Sequence, residues 1–233
     1  MHMGNKRDKL QFDYKLKNQT LETVDHHQYL GVFLSHKYKW DFQYGHTAKK
    51  ANRVLGMLRR NLKGCSKSIK STAYLALVRP ILEYASSVCD PHESKYIDQL
   101  EMVQRRAARF VCNNYRREAS VTAMIDDLEW DTLKTRREAT RLVQMRQIQM
   151  DNSAIPKTLT PPATTRLRRS QHGNSQQLRR THCRTDAYRQ SFIPRTCKDW
   201  NKLPDSIIDS TSSIDSFKNQ VLNHIRQRSQ TSP

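Results

Sequence analysis

No apolar run in this 233-residue chain approaches the ~18–20 residues that a bilayer span requires, and its mean hydropathy is −0.85. No basic stretch followed by an apolar one opens it, so neither a membrane-spanning nor a secreted protein is expected. Glycine is scarce, with six residues, and no GxxxxGK[ST] or GxGxxG phosphate loop occurs. The common nucleotide-binding enzyme folds are therefore not expected. Cys65, Cys89, Cys112, Cys183 and Cys197 are odd in number and widely spaced, which makes no disulfide framework. Reduced thiols in an intracellular compartment, nuclear or cytoplasmic, fit them better. Apolar residues are also sparse, 36% against a usual ~45–50% that counts glycine as well, so the core is spread thin.

Positive charge is what the chain has in plenty. Lys and Arg number 41 against 22 Asp and Glu, a net +19. Such a charge says little about fold and much about partners, pointing to polyanions such as nucleic acid. Residues 151–200 carry the densest excess, with ten basic and three acidic residues.

Leu10, Phe12, Tyr14 and Leu16 alternate with polar residues, and 20–24 and 29–34 are further extended runs around a Lys17-Asn18 turn. Three strands in one small antiparallel sheet are expected over residues 1–40. Residues 41–150 carry helical periodicity instead. Ala48, Ala51, Leu55, Leu58 and Leu62 share one face of a first helix, with Gly64 suited to its left-handed end. Lys49, Arg53, Arg60 and Lys63 lie within about 80° of one another on the opposite face. A second helix, capped by Ser66, places Ile69, Ala73, Leu77, Ile81, Tyr84 and Val88 at helical spacing and should kink at Pro80. A third turns Ile97, Leu100, Val103, Ala107, Phe110 and Val111 inward and Arg105, Arg106 and Arg109 outward. A short helix near 122–128 and a longer one over 131–150 complete a compact bundle with short connections.

From 151 to 187 the apolar pattern dissolves into a basic, proline-interrupted stretch, expected to be a flexible arm. Order returns over 188–233, where Phe192, Ile193, Trp200 and Leu203 need burial. A last helix starts near Ser213, capped by Ser212 with Asp215, and buries Ile214, Phe217, Val221, Leu222 and Ile225. The fold class is thus mainly α, with a small N-terminal β piece, a helical bundle, an irregular basic arm and a C-terminal helix.

A charged helix face is usually only a solvated face. Here the excess has one sign, recurs on several helices and continues into the arm, which favours phosphate neutralisation and counterion release. A membrane-surface role is disfavoured because the apolar faces are needed for the core. His172, His182, Cys183 and Cys197 share one region but lack the spacing of a zinc site, so no metal or other cofactor is expected. Asp126-Asp127 ends a helix and is not a convergent metal-binding pair, and no GxSxG nucleophile elbow exists. No catalytic residue is assigned.

The ordered series Tyr29-Leu30-Gly31-Val32, Trp40, Lys50-Ala51-Asn52-Arg53, Leu58-Arg59-Arg60-Asn61-Leu62 and Leu77-Val78-Arg79-Pro80-Ile81-Leu82-Glu83-Tyr84-Ala85 continues along the chain. Asp90-Pro91-His92, Leu100-Glu101-Met102-Val103-Gln104-Arg105-Arg106-Ala107-Ala108-Arg109-Phe110, Leu128-Glu129-Trp130, Phe192-Ile193-Pro194-Arg195-Thr196, Trp200-Asn201-Lys202-Leu203-Pro204 and Ser216-Phe217-Lys218 follow. This series resembles the C-terminal region of reverse transcriptases from non-LTR, LINE-type retrotransposons of the jockey and chicken-repeat kind. The resemblance implies that 1–40 is the end of the palm and 41–150 the helical thumb. It also implies that the catalytic aspartates belong to a part of the polymerase upstream of residue 1, so the chain is not an enzyme by itself. Implied partners are RNA and DNA as template–primer duplex, and the upstream palm and fingers of the parent polyprotein. Where the family commonly has Trp before Asp-Pro-His, this chain has Cys89.

Tyr29, Leu30, Gly31 and Val32 would then be primer contacts, Gly31 admitting a sugar–phosphate chain. An ordinary buried strand is the competing role. A host-retained basic nucleic-acid-binding protein and a non-functional relic of a transposable element are the alternative identities.

Overall fold

The computed structural model describes residues 12–163, 174–209 and 213–231, and the side chains of the last helix as far as 228. It is mainly helical behind a small antiparallel β piece, the class the sequence leads one to expect. Leu10, Ser212 and His172 lie outside the described residues.

The β piece is two hairpins and not one three-stranded sheet. β1 (Lys15–Leu16) pairs with β2 (Gln19–Thr20), and β3 (His26–Tyr29) with β4 (Val32–Ser35). Both turns place two central residues at positive φ: Lys17 and Asn18 at 47° and 62°, Leu30 and Gly31 at 46° and 78°. Two positive φ values suit the right-handed twist of a two-residue hairpin. The run 29–34 is therefore the end of β3, a two-residue turn at Leu30-Gly31 and the start of β4. Gly31 is required by the turn, and a Cβ there would stand 3.4 Å from the Tyr84 ring.

Helices α1 (Asp41–Asn61), α2 (Lys67–Ala73), α3 (Arg79–Glu83), α4 (Ser94–Val111), α5 (Val121–Asp127) and α6 (Leu133–Gln149) follow. Ala48, Ala51, Leu55 and Leu58 on α1 and Leu100, Val103, Ala107, Phe110 and Val111 on α4 are buried in the first core, as their spacing predicts. Ser66 caps α2 as expected, its Oγ accepting from the Ile69 N–H. Gly64 is not left-handed; α1 ends with the Leu62 N–H donating to the Leu58 carbonyl.

The inward face of the second helix is displaced by one residue. Lys70, Tyr74, Val78 and Leu82 are buried, whereas Ile69, Leu77, Tyr84 and Val88 are exposed. A π-helical stretch follows at Tyr74–Val78 between α2 and α3, where the Arg79 N–H reaches back to the Tyr74 carbonyl. The wider π turn lengthens the local period, so a spacing of four holds one face. It also lets the chain pass Pro80, which has no N–H to bond the Ala76 carbonyl.

A second core gathers Ala139, Leu142 and Met145 of α6 with α8 (Phe192–Trp200), α9 (Asp205–Ile208) and α10 (Ile214–Thr231). A one-turn α7 (Asp186–Arg189) precedes α8. Trp200, Leu203, Phe217, Val221 and Ile225 are buried there, which gives these large apolar groups their place. The N-terminal cap of α10 is Ser213, whose Oγ accepts from the Ser216 N–H. The described parts of the basic arm are held rather than free. Pro162 bridges to Leu178, Trp200 Nε1 donates to the Gln176 carbonyl, and the Asn201 side chain bonds both backbone groups of Leu178. Side chains from α8 and its end thus supply partners that the arm's own composition cannot.

Candidate nucleic-acid interface

Three contacts fix how α1 and α4 lie together. Tyr44 meets Tyr96 with ring centroids 5.0 Å apart, Arg106 Nη1 donates to Asn52 Oδ1 at 3.1 Å, and the Arg59 guanidinium lies 5.4 Å from the centre of the Tyr115 ring. Residue numbers rise together along both helices, so the two run parallel and side by side. Between them and in the opposite sense runs the α2–α3 segment, with Lys70 over Phe110 and Tyr74 Oη bonded to Gln104.

Lys49, Arg53, Arg60 and Lys63 are all exposed, and none has a hydrogen bond or ion pair among the described residues. Arg105 is exposed on α4 as well. Arg106 is tied across to Asn52, and Arg109, half-buried, donates to the Arg116 carbonyl at 2.9 Å. A hydrogen bond to a neutral oxygen leaves the positive charge in place. The structure therefore puts six of these cations on two neighbouring helices and Lys63 in the turn that follows α1. Sequence periodicity missed Arg59, Tyr115 and Arg116, which extend this surface past the end of α4. An Arg over an exposed aromatic ring is a cation–π pair, and nothing in the local pattern announces it.

The proposed primer contacts separate from one another. Val32 is buried, while Tyr29 and Leu30 are exposed at the hairpin tip, Leu30 by 74%. Tyr84 Oη donates to the Leu30 carbonyl at 2.7 Å and fixes the tip against the end of α3. The Phe33 N–H donates to Gln43 Oε1 at 2.9 Å, seating the hairpin on the first turns of α1.

Several buried or half-buried arginines are spoken for. Arg141 is buried and bonds Asp90 and Asp199, the latter at 2.8 Å, while Arg195 joins Asp90 at 3.1 Å. Burial, reinforced by neighbouring Arg195, pushes the Arg141 pKa down to about 10. Arg137 is buried with one guanidinium nitrogen on the Leu82 carbonyl, and Arg136 pairs with Glu83. Burial lowers the Arg137 pKa in the same way.

Asp126 and Asp127 end α5 and are exposed, with Asp127 bonded to Lys67. Among the described residues no group of three His, Cys, Asp or Glu side chains is placed to hold a metal ion. Cys197 is buried in the second core and Cys183 donates to the Thr181 carbonyl. Cys89 is buried in the first core, and burial pushes its thiol up to about 11. Among the described residues no helix is long and apolar enough to cross a membrane. Compared with protein-family models, curated proteins and solved structures, the chain finds no match.

Proposed function

We propose that this chain binds nucleic-acid duplex through the sugar–phosphate backbone, using the outward faces of α1 and α4. The observation that carries this is the row of exposed, unpartnered cations Lys49, Arg53, Arg60 and Lys63 beside Arg105, Arg106 and Arg109 on the next helix. Phosphate contacts position a protein without reading bases, so affinity is expected to be sequence-independent. In its parent context the bound duplex is the template–primer hybrid of a non-LTR-type reverse transcriptase, and the chain is a non-catalytic palm-end and thumb segment. Apolar Phe12, Tyr14, Leu16, Leu21, Tyr29 and Leu30, exposed along the hairpins, are a surface that a larger sheet would cover and support that context.

The test is a salt series of binding to RNA–DNA hybrids of unrelated sequence. Replacing Arg105, Arg106 and Arg109 by Gln should weaken all of them alike and lower the salt slope by up to about three contacts' worth. An unchanged slope means those arginines only face solvent. Primer extension with magnesium or manganese should yield no incorporation from this chain alone; incorporation abolished by mutating one of its aspartates would overturn the non-catalytic reading.

A further inference from the structure

A cleft of about 700 Å³ opens where the turn between β4 and α1, the segment from Val88 to Tyr96, and α7 meet. That volume lies within the roughly 300–1,000 Å³ of ordinary ligand sites. None of the seven cations discussed above lines it. Its wall carries Tyr38, Trp40, Tyr96 and Tyr188, with the buried Tyr44 behind them and Lys37 and Lys39 on either side of Tyr38. Tyr38 and Tyr188 are 51% and 45% exposed, so packing does not account for them. Tyr38 is also held at φ 57°, a left-handed conformation that a bulky residue rarely adopts.

Four carboxylates share this wall, and they are largely answered. Asp90 is bound by Arg141 and Arg195, and Asp186 faces His92 and Arg189. Asp41 lies in the first turn of α1 and Glu93 immediately before α4, where the helix dipole offsets negative charge.

We propose that this cleft holds unpaired nucleotides of a single strand, the bases stacking on Tyr38, Trp40, Tyr96 and Tyr188 and the phosphates lying against Lys37 and Lys39. Ring stacking accepts any base and works beside a positively charged track. Asp41 and Glu93 can accept from exocyclic base amines. A basic peptide is the competing occupant of an aromatic and acidic wall. The net charge of +19 repels such a peptide and draws a polyanion. The inference shares its ligand class with the proposed function but uses a separate site.

Trp40 lines the cleft, whereas Trp130 and Trp200 are buried, so tryptophan fluorescence reports on it. Titrating the full chain with a short oligothymidylate should quench that fluorescence. Trp40→Phe should abolish the quench, and anisotropy of a labelled strand then follows binding independently of tryptophan. Tyr38→Gly combined with Tyr188→Ala should weaken the single strand by roughly tenfold or more and leave duplex affinity unchanged. Both positions are exposed and glycine suits φ 57°, so the fold should survive, which circular dichroism checks. Undiminished oligonucleotide binding, an equal loss on duplex, or quenching by an Arg- and Lys-rich peptide instead would overturn the proposal. If replacing the α1 and α4 cations leaves duplex binding intact while the cleft variants still lose the single strand, the duplex reading fails and the cleft assignment stands.

Discussion

On α1 and in the turn just after it, the cations Lys49, Arg53, Arg60 and Lys63 are exposed, with no partner among the described residues. On α6, by contrast, Arg136, Arg137 and Arg141 turn into the protein and end on Glu83, the Leu82 carbonyl, Asp90 and Asp199. A third group lies between these extremes: Arg226 and Arg228 of α10 reach across to Asp131 and Glu138 beside and along α6 from the surface. One residue type thus holds the two cores together in one place and remains available to a partner in another. Net charge counts both kinds equally, so it overstates what a polyanion can touch.

Arg141→Ala should have the largest effect on folding, because it leaves Asp90 and Asp199 facing the interior with their shared cation gone. Removing one partner of a buried pair costs about 3–5 kcal/mol. The urea midpoint should fall accordingly, and a shift of under about 1 kcal/mol would move Arg141 into the surface class.

Glu101 sharpens the comparison from the acidic side. It is buried, its Oε1 accepts from the Lys134 N–H at 2.9 Å at the start of α6, and burial raises its pKa. The folded state then keeps this proton at a pH where the unfolded chain has released it. Stability contributed by the group is present below the unfolded value of about 4.3 and falls as pH rises toward the folded value. Glu101→Gln, which retains the acceptor, should remove that part of the decline in a pH series of denaturation midpoints. An unaltered profile would mean that the carboxylate is solvated.

Arg226→Gln should cost no more than about 1 kcal/mol, since Arg226 is half-exposed and its pair with Asp131 is screened by solvent. Its denaturation midpoint should fall between those of Arg141→Ala and the parent. Replacing Lys49, Arg53, Arg60 and Lys63 together by Gln should change stability least of all. The same variant should lower the salt slope of duplex binding by up to about 3.6, at roughly 0.9 per phosphate contact. A destabilised variant with an unchanged slope would erase the distinction between the two kinds of cation.

The faces of α1, α4 and α10 were legible because a 3.6-residue period over many turns is a strong local signal. The face of the second helix was not, since apolar Ile69 and Leu77 lie on its exposed side while Lys70 is buried over the Phe110 ring. The hairpin at Leu30-Gly31 was hidden too. Its apolar run continues unbroken through a turn that puts leucine, not asparagine or aspartate, at positive φ. The arm misled for a further reason: its own side chains cannot build a core, but Trp200 and Asn201 reach it from elsewhere.

By itself the sequence determined the helical class, the order of elements, the apolar faces of the longest helices and the positive excess, because each depends on residues within a few turns of one another. Only the tertiary structure decided which cations remain exposed, where the aromatic cleft forms and how the described parts of the basic arm are held. Arg141 meets Asp90 and Asp199 across 51 and 58 positions, and Arg106 meets Asn52 across 54. No local period encodes such pairings; they exist once packing has brought the helices side by side, and burial then sets which charges must be neutralised inside and which stay in water.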